Sequence, residues 1–399
     1  MTTQDNTERF ETLVIGAGPA GLSAAAVLGR AGIAATVLER SGDVGASWRR
    51  HYDRLHLHTV RWLSNLPGYR FSRRHGRWVS RDGVIGYLER YARHHDLDVR
   101  TGVEVRRLDR DEADQGWVLD TSEGELRARF VVVATGYNHT PVLPDWPGRD
   151  EFTGDLVHGQ DYRNPEPYRG RDVLVVGSGN TGAEIAVDLV EGGAARVRIS
   201  IRTPPNVMLR EVNGIPSQVT GVLMRYVPIP IADRIAAASA RLAVGDLSEF
   251  GIPPAPRGPF TRAILEDAIP ILDVGLVPML KKGLVDVVAA VEGFDGPSVL
   301  LADGSRIEPD AVIACAGYAR GLEPMVGHLG LLGFKGRPVV HGAETHPNAP
   351  GLYFIGYTNP ISGMFREFGI VARRVARAIA RERRAAQAAP PAEREAIAA

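Results

Sequence analysis

A short apolar strand, a glycine-rich turn and an alanine-rich helix follow one another near the N-terminus. The strand at 12–15 runs into Gly16-Ala17-Gly18-Pro19-Ala20-Gly21, and a second strand at 35–38 ends in Glu39. In such a βαβ unit the three glycines allow the tight turn, close approach of a pyrophosphate to the backbone and packing of the helix on the sheet. An acidic residue after the second strand accepts hydrogen bonds from an adenosine ribose and disfavours a 2′-phosphate. The sequence therefore predicts an FAD site here.

The same order of elements occurs again in the middle of the chain. A strand at 172–176 leads into Gly177-Ser178-Gly179-Asn180-Thr181-Gly182, then a helix at 183–191 and a strand at 196–201. No carboxylate corresponds to Glu39, and Arg202 follows instead. Because a guanidinium pairs well with a phosphate, we expect Arg202 to select NADPH, the alternative being a solvated surface arginine. Two dinucleotide sites in one chain suggest electron transfer from NADPH to flavin.

Each half also ends in a similar way. Hairpins at 117–129 and 298–308 precede apolar strands that run into Thr135-Gly136-Tyr137 and Ala316-Gly317-Tyr318, and a last strand at 352–356 with a helix at 365–381 should return to the first domain. These patterns predict an α/β fold with two Rossmann-like domains in a glutathione-reductase-like arrangement, the second inserted in the first. The expected boundaries are 1–160 and 312–382 for the FAD domain, 161–311 for the NADPH domain with a helical insertion at about 213–275, and 383–399 for a flexible tail.

Composition excludes several classes of function. Lys plus Arg and Asp plus Glu both total 47, so the formal net charge is zero and no basic arm predicts nucleic-acid binding. The single Cys315 leaves no CxxC pair for disulfide reduction or for a metal site. No apolar run is long enough to predict an integral membrane segment, so we expect a cytoplasmic enzyme, with a homodimer left open.

A family resemblance rests on several further motifs. The run Phe152-Thr153-Gly154-Asp155-Leu156-Val157-His158-Gly159-Gln160-Asp161-Tyr162-Arg163 resembles the FxGxxxHxxx(F/Y)(K/R) signature of class B flavin-containing monooxygenases. Its Tyr-Arg ending favours the N/S-oxygenating and YUCCA-like branches over the Baeyer–Villiger branch. Trp48, the run 52–58 (YDRLHLH), 209–211 (LRE) and 272–275 (LDVG) are similar to YUCCA-like indole-3-pyruvate monooxygenases. The resemblance covers about residues 10–380.

The resemblance implies a monooxygenase that uses FAD, NADPH and molecular oxygen. In this family NADPH reduces the flavin, O₂ forms a C4a-(hydro)peroxide, and one oxygen atom enters a small organic substrate. Arylpyruvate decarboxylation and N- or S-oxygenation both remain open at this point. Alternatives are an NAD(P)H oxidase or electron-transfer reductase, or a non-catalytic nucleotide-binding module.

Two residues are candidates for catalysis. His58 stands where animal-type family members have an asparagine near the flavin, so it is expected either to donate a hydrogen bond there or only to pack. Asn180 is expected either to contact the cofactor or to serve as a turn residue. His158 is interpreted as a linker-positioning residue, and Met224, Tyr226, Phe250 and Phe260 as substrate-tunnel or ordinary core residues. The predicted cofactor-binding set is Gly16, Gly18, Pro19, Ala20, Gly21, Glu39, Arg40, Trp48, His58, Thr59, Val105, Ala134, Thr135, Gly136, Gly177, Ser178, Gly179, Asn180, Thr181, Glu184, Arg202, Gly317, Tyr318 and Gly356.

Overall fold

The computed structural model of the chain describes residues 8–112, 114–224 and 226–388. Its first part alternates strands and helices as the glycine-rich turn predicts. The elements up to residue 141 are β1 (Glu8–Ile15), α1 (Pro19–Arg30), β2 (Ala35–Glu39), α2 (Ala46–Arg49), α3 (Arg81–His94), β3 (Asp98–Thr101), β4 (Val105–Asp111), β5 (Gly116–Thr121), β6 (Gly124–Val133) and β7 (Thr140–Pro141).

The middle of the chain contains the second alternating unit and the helical insertion. Its elements are β8 (Asp155–His158), β9 (Asp172–Val176), α4 (Asn180–Glu191), β10 (Arg196–Ser200), β11 (Val207–Leu209), β12 (Glu211–Val212), β13 (Ile215–Pro216), α5 (Ser217–Met224), α6 (Ile229–Ala243), α7 (Pro259–Leu265), β14 (Ile271–Asp273), α8 (Leu276–Lys281), β15 (Asp286–Val288), β16 (Val291–Asp295), β17 (Ser298–Leu301), β18 (Arg306–Ile307) and β19 (Ala311–Ala314).

The last part returns to the first domain. It contains β20 (Tyr318–Ala319), α9 (Glu323–Val326), β21 (Leu352–Phe354) and α10 (Met364–Ala388). Short 3₁₀ helices lie at Arg61–Leu63, Arg73–His75, Arg149–Glu151, Glu166–Tyr168, Ser248–Phe250, Gly327–Leu329 and Phe334–Gly336.

Two sheets organise the described residues. The first has the order β3-β2-β1-β6-β5-β4, with β21 also paired to β6; β1 is parallel to β2 and β6, whereas β4, β5 and β6 form an antiparallel meander. The second is parallel throughout, in the order β15-β10-β9-β19-β8. Because β6 and β21 of the first sheet enclose every strand of the second in sequence, the second domain is inserted in the first, as predicted.

Both sheets are covered on their two faces. In β1, Val14 packs with α1 and α10, whereas Leu13 and Ile15 belong to a second cluster on the other face. In β9, Val173 and Val175 pack with α4, and Leu174 packs against the β16–β18 meander. Continuous apolar strands are expected when parallel sheets are buried on both sides.

Some expected limits differ from the structure. Strand β8 pairs with β19 in the second sheet, although the boundary expected at residue 160 assigns it to the first domain, and the boundary expected at 311 falls inside β19. The first residues of the expected flexible tail, 383–388, are instead the end of α10, where Arg383 pairs with Glu11 and donates to the carbonyl of Gly32. Residues 389–399 lie outside the described part of the chain.

Candidate active site

We call 135–137, which follows β6, and 316–318, which follows β19, the corner segments. A cavity of about 940 Å³ lies where the two glycine-rich turns, the corner segments and the helical insertion meet. Most of the predicted site residues line it: Gly16, Gly18, Pro19, Ala20, Glu39, Arg40, Trp48, His58, Thr59, Val105, Ala134, Thr135, Gly136, Asn180, Thr181, Tyr318 and Gly356. Those that do not line it are Gly21, Gly177, Ser178, Gly179, Glu184, Arg202 and Gly317.

The first glycine-rich turn has the geometry that a bound pyrophosphate requires. Gly16 has φ +105°, and a Cβ there would lie 2.7 Å from the carbonyl oxygen of Ala134; a Cβ on Gly21 would lie 1.9 Å from that of Gly16. A Cβ on Gly18 would meet nothing within 4 Å. The first and third glycines are therefore fixed by packing, and the second leaves open space at the start of α1, where backbone N–H groups attract an anion.

Glu39 is buried at the end of β2 and holds the turn together. Its carboxylate accepts hydrogen bonds from the backbone N–H groups of Ala17 (2.8 Å) and Ser41 (2.9 Å). Because a carboxylate has about four acceptor positions, these two bonds leave room for ribose hydroxyls. The residues present thus fit FAD at this end of the cavity.

The second turn repeats this geometry. Gly177 has φ +122° and faces the carbonyl of Cys315, a Cβ on Gly182 would lie 2.1 Å from the carbonyl oxygen of Gly177, and a Cβ on Gly179 would meet nothing within 4 Å. The burial of the Cys315 thiol raises its pKa to about 12, so the thiol is protonated at neutral pH. The turn has the same open space for a pyrophosphate as the first one.

Backbone hydrogen bonds show which residue of the second strand–turn–helix unit corresponds to Glu39 of the first unit. The N–H of Gly16 donates to the carbonyl of Leu38, and that of Gly177 donates to the carbonyl of Ser200. Ile201 is therefore the counterpart of Glu39, and Arg202 lies one residue further, which corrects the expectation that a cation replaces the acid directly. Arg202 is exposed. The Ser178 hydroxyl donates to the carbonyl of Thr203 at 3.4 Å, which brings this segment beside the turn.

The side chain of Asn180 binds the backbone of the insertion. Its Oδ1 accepts from the N–H of Leu272 at 2.7 Å, and its Nδ2 donates to the carbonyl of Pro270 at 3.2 Å. These bonds hold the start of β14 against the start of α4. Asn180 thus positions one wall of the cavity, a role that its place in the turn did not reveal.

His58 and Glu184 form a contact between the two domains. The Nε2 of His58 lies against a carboxylate oxygen of Glu184, whose side chain is 5% exposed. Burial and the neighbouring Glu184 also raise the pKa of Tyr52 well above its ordinary value. Two residues on, Arg54 pairs with Asp188 and Glu191 of α4. The segment 52–58 of the first domain is therefore docked on the helix that follows the second glycine-rich turn.

His158, within the 152–163 signature, supports the corner at Gly317. Its Nδ1 accepts from the N–H of Gln160 at 3.0 Å, so its Nε2 carries the proton and donates to the carbonyl of Gly317 at 3.2 Å. Burial lowers the pKa of His158. This neutral histidine has the positioning geometry that the sequence suggested. The neighbouring Tyr318 lines the cavity, and burial raises its pKa to about 12.

Two residues support the walls of the cavity through hydrogen bonds that the sequence did not predict. The hydroxyl of buried Tyr357 lies 2.7 Å from Thr135 Oγ1 and accepts from the Thr135 N–H. Gln218 of α5 accepts from the N–H of Val60 at 2.8 Å and donates to the carbonyl of Ser362 at 2.7 Å. The only available signal for Tyr357 was its place after a predicted strand, and Gln218 gave none.

Comparisons with known proteins agree with this geometry. Residues 13–212 match the family described as pyridine nucleotide-disulphide oxidoreductase. The chain is 35% identical over 367 residues to indole-3-pyruvate monooxygenase YUCCA1 of Oryza sativa subsp. japonica, covering 90% of each chain. It is 32% identical to the probable indole-3-pyruvate monooxygenase YUCCA3 of Arabidopsis thaliana, with 88% of this chain and 83% of the relative covered. The chain belongs to the YUCCA-type flavin monooxygenase family.

Solved structures show the same fold in other flavin monooxygenases. A flavin-containing monooxygenase from Stenotrophomonas maltophilia matches with TM-score 0.72 and 23% identity, over 94% of this chain and 99% of that one. An ε-caprolactone-bound cyclohexanone monooxygenase matches with TM-score 0.71 and 19% identity, over 95% and 88%. The protein is thus an NADPH-dependent flavin monooxygenase that uses FAD and O₂, and the oxidase or reductase alternative is not favoured.

The bound flavin supplies the oxygen chemistry, and the chain supplies its surroundings. The two open glycine positions would hold the two pyrophosphates, and Gly136, with φ +103° and open space at its Cβ position, allows close approach of a ring system.

In the described part of the chain no helix is long and apolar enough to cross a membrane.

The helical insertion gives the monooxygenase cavity an apolar lobe. Met224 and Phe260 line the cavity, as the substrate-tunnel interpretation expects, whereas Tyr226 is 84% exposed and Phe250 packs into the core of the second domain. The apolar side chains of the lobe also include Leu209, Val212, Ile235 and Ile269. Such a lining favours a lipophilic substrate.

Proposed function

We propose that the monooxygenase oxidatively decarboxylates a small aromatic 2-oxo acid of the arylpyruvate class. The observation that carries the proposal is the apolar lobe built by β11–α7, which suits an aromatic ring. The relatives at 32–35% identity, which are named indole-3-pyruvate monooxygenases, support the same class.

In the proposed reaction the bond between the keto and carboxyl carbons breaks. R–CH₂–CO–COO⁻, O₂, NADPH and H⁺ give R–CH₂–COO⁻, CO₂, NADP⁺ and H₂O. One oxygen atom of O₂ enters the new carboxylate and the other leaves as water, while NADPH supplies two electrons. Both nucleotide sites are therefore needed.

The proposed roles of the residues follow from their positions. Gly18 and Glu39 hold FAD, Gly179 and Arg202 hold NADPH, and Thr59, Thr135 and Gly136 adjoin the flavin. His58 is the candidate hydrogen-bond donor toward the reacting centre because it lines the cavity, and Glu184 fixes the orientation of its imidazole. Asn180 keeps β14 in place at the wall of the lobe.

A second substrate class is favoured by one specific observation. Among the described residues of the insertion that line the cavity, none carries a charge. A carboxylate in this lobe would find no cationic partner from the insertion, whereas an uncharged thioether or amine would need none. N- or S-oxygenation of a neutral lipophilic compound is therefore the competing function.

A direct comparison of substrates tests both candidate functions. The FAD-loaded protein is supplied with NADPH, ¹⁸O₂ and either an arylpyruvate or an aryl methyl sulfide. Catalase is included because released H₂O₂ decarboxylates 2-oxo acids without an enzyme. Arylacetate carrying one ¹⁸O per turnover supports the proposal. Sulfoxide formation without arylacetate supports the second class, and NADPH consumption that yields neither arylacetate nor sulfoxide contradicts both.

A further inference from the structure

Four segments of the chain contain arginine but no acidic residue. In a sequence with 47 Asp and Glu residues, none occurs in 19–30, 61–79, 90–95 or 368–381. The arginines in these segments are Arg30, Arg61, Arg70, Arg73, Arg74, Arg77, Arg90, Arg93, Arg373, Arg374, Arg377 and Arg381. The four segments therefore hold 12 of the 47 Lys and Arg residues of the chain and none of its 47 Asp and Glu residues.

The structure brings these segments together. Helix α1 packs along α10 and also contacts α3. The hydroxyl of Tyr91 on α3 donates to the carbonyl of Pro67 at 2.8 Å, and the ring of Tyr69 lies 4.7 Å from that of His94. Gly369 of α10 lies against Pro67: a Cβ added to Gly369 would lie 3.1 Å from the Cγ of Pro67. The four segments therefore form one continuous surface.

The arginines of this surface point outward. On α10 the apolar residues Phe368, Val375 and Ile379 are buried in the core, which turns Arg373, Arg374, Arg377 and Arg381 to solvent at helical spacing. We define the basic face as the exposed residues Arg30, Arg70, Arg73, Arg74, Arg90, Arg93, Arg373, Arg374, Arg377 and Arg381. In the described part of the chain none of them forms an ion pair with a carboxylate.

An exposed indole ring lies in the same acid-free segment as three arginines of the basic face, Arg70, Arg73 and Arg74. Trp62 is 46% exposed and sits within the acid-free segment 61–79. Tryptophan is enriched where proteins meet the headgroup region of a bilayer, because its ring is apolar and its N–H is polar. Arginine pairs with phosphate in a bidentate manner. Clustered cations beside an exposed tryptophan are the combination that binds anionic lipid surfaces.

The position of Trp62 also relates this surface to the cavity. The backbone of Val60, two residues earlier, is hydrogen-bonded to Gln218 of α5, and α5 lines the cavity at Gly221 and Met224. A bilayer that contacts Trp62 would therefore lie close to the helix that bounds the apolar lobe. Lipophilic compounds partition into bilayers, so this placement would favour substrate entry.

We propose that the basic face docks the enzyme peripherally on an anionic phospholipid surface. The proposal goes beyond the proposed function and does not depend on which substrate is oxidised. Attraction comes from the arginines and decreases with salt, and Trp62 adds contact with the headgroup region.

Vesicle sedimentation with the full-length FAD-loaded protein tests the proposal. We expect binding to phosphatidylcholine vesicles that contain about 30 mol% phosphatidylglycerol to be at least about tenfold tighter than to pure phosphatidylcholine vesicles, and to be lost in about 0.5 M NaCl. Equal binding to both kinds of vesicle, or none to either, would overturn the proposal.

Two charge-reversal variants separate this face from net charge. R374E/R377E/R381E should weaken binding to the anionic vesicles by at least about tenfold, with unchanged FAD content and NADPH consumption. The control variant R234E/R241E/K282E makes the same change of charge at two exposed residues of α6 and at the exposed residue that follows α8. It should bind like the unsubstituted protein. An equal loss in both variants contradicts the proposal.

A third variant, Trp62→Ala, should weaken binding without changing its salt dependence. Retention by an anionic oligonucleotide but not by anionic vesicles would indicate a nucleic-acid partner and overturn the lipid assignment.

Discussion

At the scale of single residues, the open space at Gly18 gives a direct test of the FAD site. Its φ of −77° and ψ of 179° suit any residue, and an added Cβ meets no protein atom within 4 Å. Gly18→Val should therefore fold but lose FAD affinity by at least about tenfold, because the side chain fills the space for the pyrophosphate. The ratio of flavin to protein absorbance after purification measures the loss. Gly29→Ala, also in open space but away from the cavity, is the control and should keep FAD while gaining about 1 kcal/mol of stability.

Arg202 provides the corresponding test at the second nucleotide site. It lies one residue beyond the counterpart of Glu39, and we propose that its guanidinium pairs with the 2′-phosphate of NADPH. Since a charge-assisted hydrogen bond contributes about 1.5–3 kcal/mol, Arg202→Ala should weaken NADPH binding about 10- to 100-fold and leave NADH binding unchanged. KM values for both nucleotides give the answer, with Arg241→Ala as an exposed control. An equal effect on both nucleotides would place the 2′-phosphate elsewhere.

At the scale of elements, the contact of His58 with Glu184 joins the 52–58 segment to α4. A double-mutant cycle with His58→Ala and Glu184→Ala should give a coupling free energy of about 0.5–3 kcal/mol, because the two side chains are in contact and largely buried. Glu184→Gln keeps a hydrogen-bonding partner and should lose less stability than Glu184→Ala. Denaturant unfolding of the four proteins measures the cycle. Additive effects would show that the contact does not link these elements.

The elements that the sequence predicted best are those defined by local pattern. The strand, turn and helix at Gly16 and at Gly177 were predictable from the spacing of the glycines. In each unit the third glycine packs against the backbone of the first, five residues earlier, so the contact lies within the motif itself. Contacts between distant segments were not predictable in this way. Asn180 bonds backbone at residues 270 and 272, and Gln218 bonds backbone at 60 and 362; neither pairing leaves a periodic or spacing signal. The register of β10 similarly decided that Ile201, rather than Arg202, matches Glu39.

At the scale of the whole molecule, insertion of one domain into the other places the site at their junction. The chain leaves the first sheet after β6 and returns at β21, so the corner segments after β6 and β19 both adjoin the cavity. The paired strands β7 and β20 join these two corners directly. The sequence predicted this return from its last strand and helix. It did not reveal that α10 continues to Ala388, because the final turns contain no apolar side chain larger than alanine and are held by Arg383 instead.

The stability of the whole protein should fall on mild acidification, because buried histidines are neutral in the folded state. Burial, reinforced by nearby arginines, lowers the pKa of both His51 and His341 to about 4. Since a histidine in the unfolded chain has a pKa of about 6.5, the unfolded state binds more protons below that pH. The stability contribution is therefore fully present above about pH 6.5 and is lost progressively as the pH falls toward about 4.

The largely buried His341 allows this effect to be measured away from the cavity. Each such histidine adds up to about 1.4 kcal/mol per pH unit to the slope of unfolding free energy. His341→Leu should reduce that slope. The substitution also removes a buried Nε2 that has no hydrogen-bond partner in the described structure. Guanidinium unfolding at several pH values between about 7 and 5 measures it. Val339→Ala, a substitution at an exposed residue near His341 that removes no titratable group, is the control and should leave the pH dependence as in the unsubstituted protein. If His341→Leu and Val339→Ala change the slope equally, burial of His341 does not cause the acid sensitivity.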